Sequence, residues 1–473
     1  MALDPTGLYI DGAWVSTPDT IEVADKYHGK VIATLCTGTA GEVDRAVAAA
    51  RRAAARPLPP ARRAEVLHAL AAALLQRVDV LAGVVTAETG KLLRDAEGEV
   101  RRTAQVLRMC AEEATRIGGE TPPVDGTPGM ENRLAFTVRD PVGVVAAIVP
   151  FNAPLVLLAH KFGPAIAAGN SIVVKSAPET AYSATLLFDL LAGAGFPPGY
   201  ASLVTGGAEA GAALVAHPGV DLVTFTGSAR AGRAIHAAAG PRRTLLELGS
   251  NSAAVVTDDA DLAHAAETCG RQAFSHAGQV CISVQRVYVQ RSRHAEFLDR
   301  LTAYAADLVV GDPSDPGTDL GPLLRASDAA RVESWLAEAT AAGATVRCGG
   351  TRNGTLFAPT VVEGAREDMR LVCEEVFGPV VSVLPYEADE DVIELLNAGE
   401  YGLQTGVFTR DVDRAMRFAR ALRMGGVLIN DGPLFRADAL PYGGIRSSGL
   451  GKEGPRDTIR EMTAEKLVVL NLR

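Results

Sequence analysis

Cys281 lies in the run Ser275-His276-Ala277-Gly278-Gln279-Val280-Cys281-Ile282-Ser283, with Glu247-Leu248-Gly249 upstream and Glu374-Glu375-Val376-Phe377-Gly378-Pro379 downstream. A nucleophilic thiol, a carboxylate able to act as base and a second acidic segment are the parts of a covalent mechanism on an aldehyde. Attack by a thiolate turns the flat carbonyl into a tetrahedral thiohemiacetal, which can expel hydride and leave a thioester. Taken alone, a cysteine in such a run reads as a small buried apolar residue. Glu247 changes that reading: it closes an apolar run, where a charge is costly to bury without a partner or a task.

Groups of this kind need a scaffold that holds them together. Between residues 142 and 256 short β-branched runs alternate with helical ones. Strands are predicted at 142–149, 171–175, 201–204, 222–226 and 244–246, with helices near 155–168 and 182–191. This alternation implies a parallel sheet covered on both faces, with ligands bound beyond the carboxyl ends of its strands. A second α/β series follows Glu247, with a strand at 284–289, a helix at 294–308 and a mostly extended stretch at 371–383. Leu67, Leu70, Leu74 and Leu75 fall on one face of an Ala/Arg-rich amphipathic helix. The Gly/Pro-rich stretch 118–129 followed by 133–139 reads as a hairpin. No G-x-G-x-x-G follows the first strand. Ser228, after Gly227, fits a helix N-cap with or without a phosphate beside it.

The matching runs are ordered along nearly the whole chain: Tyr9-Ile10-Asp11-Gly12-Ala13-Trp14, Pro150-Phe151-Asn152, Gly163-Pro164-Ala165 to Gly169-Asn170, Phe225-Thr226-Gly227-Ser228, the three runs above, and Pro441-Tyr442-Gly443-Gly444 leading to Ser448-Gly449. Together they resemble the NAD(P)-dependent aldehyde dehydrogenase superfamily, nearest its lactaldehyde, non-phosphorylating glyceraldehyde-3-phosphate and phosphonoacetaldehyde dehydrogenase branch. The resemblance implies an α/β fold with a Rossmann-type dinucleotide-binding domain over 1–117 and 138–247 and an α/β catalytic domain over 248–443. It further implies a small β oligomerisation element from 118–137 and 454–473, in which the hairpin segment pairs with a C-terminal strand at 466–470 to build subunit contacts, and hence a homodimer or homotetramer.

For chemistry the resemblance implies Cys281 as nucleophile, Asn152 with the Cys281 N–H as oxyanion hole, Glu247 as the base for thioester hydrolysis, and Glu453 as a proton relay. For NAD or NADP it implies Lys175 at the ribose, Gly227 and Ser228 near the phosphates, and Glu375 at the nicotinamide ribose. Phe377 is expected near the ring, with Phe151 among the cofactor contacts. Arg108, His160 and Arg436 are expected at the substrate entrance, with Lys161 on the oxyanion and substrate side, where they could grip a polar or anionic tail. Two departures matter. Where NAD-selective members often carry Glu three residues after the lysine, this chain has Pro178, with Glu179 next. A 2′-phosphate would meet less repulsion there, so either dinucleotide is expected. Members acting on phosphorylated or phosphonate aldehydes often place Arg just before the nucleophile; Val280 stands here and weakens that reading.

Bulk properties exclude other classes. At 473 residues the chain exceeds a single core and calls for more than one domain. A net charge of −10 argues against nucleic-acid or anionic-membrane partners. Six cysteines without C-x-x-C spacing fit a reducing compartment better than disulfides or a zinc site, so no metal is expected. Without a basic-then-apolar N-terminal stretch, a soluble cytoplasmic protein is expected. Two other readings share this fold. A coenzyme A-acylating enzyme would not need Glu247 as base, and a silent binding or structural protein would not need Cys281, Asn152, Glu247, Lys175 and Glu375 together.

Overall fold

The computed structural model describes residues 6–472. The first sheet has 8 strands, whose parallel centre runs Ala201–Thr205, Ser171–Ser176, Val144–Ile148, Leu222–Thr226, Arg243–Glu247. Leu8–Ile10 extends it antiparallel at one edge, and Gly449–Leu450 at the other. Alternation along Val144–Ile148 shows why both faces are covered. Val145 and Ala147 pack into one core with the helices Pro60–Leu75, Leu93–Ala114 and Pro154–Ala168, while Val144 and Ala146 pack into another under Ala40–Ala54. On Pro60–Leu75, Leu67, Leu70 and Leu74 are fully buried, each contributing about 1.5–3 kcal/mol, and Leu75 is half-buried.

The connections create the binding crevice. The chain passes from Val144–Ile148 outward through Ser171–Ser176 to Ala201–Thr205, then returns across the sheet to Leu222–Thr226 on the other side of Val144–Ile148. Strand order therefore reverses between Val144–Ile148 and Leu222–Thr226, the place where open α/β sheets bind ligands. Phe151 and Asn152 follow one of these strands, Gly227 and Ser228 the other.

The second sheet has 7 strands, in the order Thr345–Cys348, Thr360–Glu363, Val380–Tyr386, Arg286–Gln290, Ala253–Val256, Gln404–Phe408, Gly426–Ile429. All pairings are parallel except that of Thr345–Cys348. Cys281 lies just ahead of Arg286–Gln290, and Glu375 and Phe377 just ahead of Val380–Tyr386. The amino ends of these strands thus supply the loops that meet the carboxyl ends of the first sheet.

Two sequence expectations are corrected. Residues 118–132 form no strand; Arg133–Pro141 is a single strand whose partner is Thr463–Asn471, antiparallel over nine paired positions from Thr463↔Pro141 to Asn471↔Arg133. Pro122, Pro123 and Pro128 cannot donate to a ladder, so the preceding stretch cannot be its own second strand. The extended stretch at 371–383 begins as a short helix, Arg370–Cys373, and becomes a strand only at Val380. Among the described residues, no single helix is long and apolar enough to cross a membrane.

Candidate active site

The Cys281 loop is held by backbone that most residues avoid. His276 and Ala277 have φ of 49° and 53°, and Gly278 follows at 72°. Three successive left-handed residues turn the chain sharply between the helix Leu262–Phe274 and Cys281. A Cβ on Gly278 would stand 2.1 Å from the Gly378 carbonyl oxygen, so this loop and the Glu375 segment touch backbone to backbone. Gln279 pins the turn: its Nε2 donates to His276 O (3.2 Å), its Oε1 accepts from Leu324 N (2.9 Å), and its backbone carbonyl accepts from Asn152 Nδ2 (2.9 Å).

Cys281 is half-buried at a cavity of about 380 Å³ whose walls include Asn152, His276, Val280, Leu434, Arg436 and Tyr442. Its Sγ lies 3.1 Å from Tyr442 Oη. Burial pushes the thiol up to about 12; the Tyr442 hydroxyl and the Arg436 charge pull the other way. One wall is a face of the Leu93–Ala114 helix carrying Asp95, Gly98, Glu99 and Arg102 at i, i+3, i+4 and i+7. Arg102 clamps Asp438 through Nε (2.8 Å) and Nη2 (2.6 Å), with its side chain 37% exposed. Lys91 Nζ pairs with Glu99, whose other oxygen accepts from Leu155 N at 2.9 Å at the start of Pro154–Ala168.

Behind the cavity lies a buried charge cluster. Arg436 Nη2 donates to Glu453 Oε1 (2.7 Å), and the Arg436 guanidinium lies over the Tyr442 ring, 3.9 Å from its centroid. Lys161 Nζ donates to Thr226 Oγ1 (2.6 Å) and lies 3.6 Å from Glu453 Oε2. His160 Nε2 is 3.0 Å from Asp438 Oδ1 and 3.1 Å from Arg436 Nη2. Burial would raise Glu453, but Arg436, His160 and Lys161 outweigh it and hold that carboxyl low. Glu247, at the end of Arg243–Glu247, is also buried, and its Oε2 has no hydrogen-bond partner. Burial first, and the Glu453 charge second, push it well above the ordinary carboxylate range. Of two neighbouring carboxyls, Glu453 carries the charge and Glu247 the proton.

The crevice at the strand reversal fits a dinucleotide. Ser228 caps Ala229–Ala239 by accepting from Ala231 N (3.3 Å), leaving that helix N-terminus beside Gly227. Lys175, at the end of Ser171–Ser176, is 8% exposed and has no ion-pair partner among the described residues. Glu375 Oε1 accepts from Ser250 N (2.9 Å), and burial pushes the Glu375 carboxyl up to about 7. A Cβ on Gly249 would stand 2.2 Å from Glu375 Oε2, so any side chain there would displace the Glu375 carboxyl from its present position. Phe151 and Phe377 meet edge to face at 5.9 Å, Phe377 with φ of 45°. Glu179 is held by the Arg325 guanidinium, which also lies over Phe151 at 5.4 Å.

Of the residues expected at the substrate entrance, Arg436 lines the cavity, and His160 and Lys161 sit in the cluster behind it. Arg108 does not join them. It is exposed on Leu93–Ala114, and six residues of helix turn it about 120° away from Arg102. Arg102, Tyr442, His276 and Lys91 were not singled out from sequence. The i, i+3, i+4, i+7 spacing from Asp95 to Arg102 was the available signal for the first of them.

A parallel sheet with its crevice at the strand reversal, facing a loop-borne thiol with a buried carboxyl behind it, is an arrangement suited to dinucleotide-dependent chemistry on a carbonyl. The model of the Aldehyde dehydrogenase family matches residues 14–468, and the chain belongs to that family. It is 46% identical over 467 residues to 3-sulfolactaldehyde dehydrogenase of Priestia aryabhattai, covering 98% of each chain. It is 36% identical over 471 residues to lactaldehyde dehydrogenase of Methanococcus vannielii, covering 98% of this chain and 100% of the other. The crystal structure of NADP-dependent glyceraldehyde-3-phosphate dehydrogenase from Bacillus halodurans, complexed with NADP, superposes with a TM-score of 0.96 at 35% identity, covering 99% of both chains. The protein is an oxidoreductase that oxidises an aldehyde to its carboxylate with NAD or NADP.

The contact at Gly278 yields a test. Gly278→Ala should cost about 1–3 kcal/mol of stability through overpacking and slow Cys281 alkylation at the same time. Thermal unfolding and a thiol-labelling time course check both, and unchanged values would mean that the turn is not what places the thiol.

Proposed function

We propose that this enzyme oxidises a small aldehyde carrying an anionic tail, of the 3-sulfolactaldehyde type, through a covalent intermediate on Cys281. The observation that carries this reading is the cavity itself: it joins the Cys281 thiol to a wall where Lys91 is paired with Glu99, Asp95 is the other acid, and Arg94 and Arg102 leave the balance of charge positive beside His276. The name of the relative at 46% identity supports the sulfonated tail. Arg102 grips with the fork that its Asp438 clamp leaves free, and both ring nitrogens of His276 are buried without a partner. Arg108 has no part in this reading.

The Cys281 S–H bond breaks, its proton passes to ionised Glu247, and the thiolate attacks the carbonyl carbon as the π pair moves onto oxygen. Asn152 Nδ2 and the Cys281 N–H donate to that oxygen. NAD(P), when bound, supplies the hydride acceptor that turns the thiohemiacetal into a thioester. Lys175 and Glu375 would hold its riboses and Gly227 and Ser228 its phosphates, with Phe377 near its ring and Phe151 among its contacts. Glu247 passes the thiol proton out through Glu453 and Lys161 and, ionised again, takes a proton from the water whose oxygen adds to the thioester carbonyl. The C–S bond then breaks with its electron pair on Sγ, releasing the acid, which ionises to the carboxylate. Coenzyme A is not needed as acyl acceptor.

The same reading divides the chain into a dinucleotide-binding domain (1–117 and 138–247), a catalytic domain (248–443) and an oligomerisation element (118–137 and 454–473). The exposed Leu467, Val469 and Leu470 on Thr463–Asn471 support a homodimer or homotetramer. Cytoplasmic work is in keeping with the absence of disulfides among the described residues.

Two measurements test this. Because Glu247 is held protonated, its base form appears as pH rises; turnover limited by hydrolysis should climb with pH through that ionisation. Glu247→Gln should lose this limb and still release one equivalent of reduced cofactor, more slowly because the thiol proton must then leave to solvent, before it stalls; normal steady-state turnover would assign the base elsewhere. Arg102→Leu should lower kcat/KM for sulfolactaldehyde roughly tenfold or more and leave propanal nearly unchanged. Equal losses on both substrates would reduce Arg102 to a structural role.

A further inference from the structure

Thiolate formation at Cys281 poses a problem that the groups assigned so far do not solve. Burial opposes the charge, and Glu247 and Glu375 both raise the thiol further. The Asn152 amide gives one N–H to Gln279 O and has its other assigned to the oxyanion, and the cation of Arg436 is engaged by Glu453. Among the described residues, the side-chain group within hydrogen-bond reach of the sulfur is the Tyr442 hydroxyl, at 3.1 Å. Tyr442 is 5% exposed, and its hydroxyl has no other hydrogen bond.

We propose that Tyr442 is a catalytic residue whose hydroxyl donates to the Cys281 thiolate, and that Arg436 is the positioning residue that strengthens this donor from the ring face. The proposal rests on the reading of Cys281 as nucleophile. A thiolate is an acceptor only, so once the thiol proton has gone to Glu247 the bond must run from Tyr442 O–H to Sγ. The phenol keeps its own proton throughout; no bond to it breaks. Burial, the first cause, holds Tyr442 well above its ordinary range, so it does not compete with the thiol for ionisation. The guanidinium 3.9 Å over the ring centroid draws density from the π system and makes O–H the better donor. Arg436 cannot wander from that face, because Glu453 at 2.7 Å and Asp438 at 3.7 Å hold it in the interior.

A purely apolar wall would serve equally well with phenylalanine at 442, and this separates the two roles. As the C–S bond forms, the sulfur loses its charge and the hydroxyl hydrogen bond weakens. The interaction is therefore specific to the ionised nucleophile.

The test is the pH profile of iodoacetamide alkylation at Cys281, read by peptide mass spectrometry on the full chain with NADP present. Tyr442→Phe should move the profile to higher pH and slow alkylation at neutral pH by roughly tenfold to a hundredfold, the range for a hydrogen bond to a charged group. kcat/KM should fall with it. Replacing Tyr442 by 3-fluorotyrosine keeps the shape but gives a stronger donor, and should move the profile to lower pH than in the unmodified protein. Arg436→Lys should shift it in the same direction as Tyr442→Phe, by less. A Tyr442→Phe or fluorotyrosine profile that coincides with the parent's, in protein where alkylating Cys281 abolishes turnover, would overturn this inference alone. Full turnover by Cys281→Ala would instead overturn the nucleophile reading beneath it.

Discussion

Arg436 and Glu453 meet at 2.7 Å with side chains only 9% and 5% exposed, where neither charge could stand alone. Much of the site's electrostatics follows from that pair. Asp438 is held low by Arg102 and His160, and Lys161 shares Glu453 with Arg436. The cations Arg102, Arg436 and Lys161 thereby find the carboxylates Asp438 and Glu453. Glu247, buried beside them, forms no ion pair among the described residues; burial first and the Glu453 charge second raise its affinity for a proton, and Arg436, Lys161 and Lys452 offset this only in part. The same guanidinium that ionises Glu453 lies on the Tyr442 ring, and Tyr442 touches the sulfur. One ion pair therefore reaches both the carboxyl proposed as base and the thiol proposed as nucleophile.

The two sheets bring these groups together by opposite ends. Carboxyl-terminal loops of the first supply Asn152, Gly227 and Ser228, and Glu247 closes its Arg243–Glu247 strand. Amino-terminal loops of the second supply Cys281, Glu375 and Phe377. A close backbone contact of Gly278 against Gly378 fixes the meeting, and the Glu375 carboxyl lies against Gly249 beside it. The hydrogen bond from Asn152 to Gln279 O ties the crevice to the thiol loop directly. Crevice and cavity share this boundary, so a nicotinamide in one can face an aldehyde in the other.

Much of this was legible in the chain. Short β-branched runs mark the five central strands of the first sheet and Arg286–Gln290 to within two residues, because strands buried on both faces read as apolar runs; Ala253–Val256, Thr360–Glu363, Gln404–Phe408 and Gly426–Ile429 were not read. The local pattern of 118–139 suggested a hairpin and carries no pairing information, whereas the pairing with a C-terminal strand at 466–470, which the family resemblance implied, is the one found for Arg133–Pro141. The helix at Arg370–Cys373 is too short to show a period. Within the site, the runs around Cys281, Glu247 and Asn152 identify residues but not their hydrogen bonds. Arg108 was preferred to Arg102 by motif position, although helical phase puts Arg102 on the face of Asp95, Gly98 and Glu99. Tyr442 stood inside a recognised run, yet nothing local indicates that its hydroxyl reaches a sulfur distant in sequence.

The central claim is that oxidation passes through a covalent acyl group on Cys281. It is tested most directly by mixing Glu247→Gln protein with aldehyde and NADP, quenching in acid, and measuring the mass of the Cys281 peptide. The account predicts that this peptide gains the mass of the acyl group in step with the first equivalent of NADPH. NADPH formed in that amount with the Cys281 peptide unmodified, or with the acyl group on another residue, would contradict it.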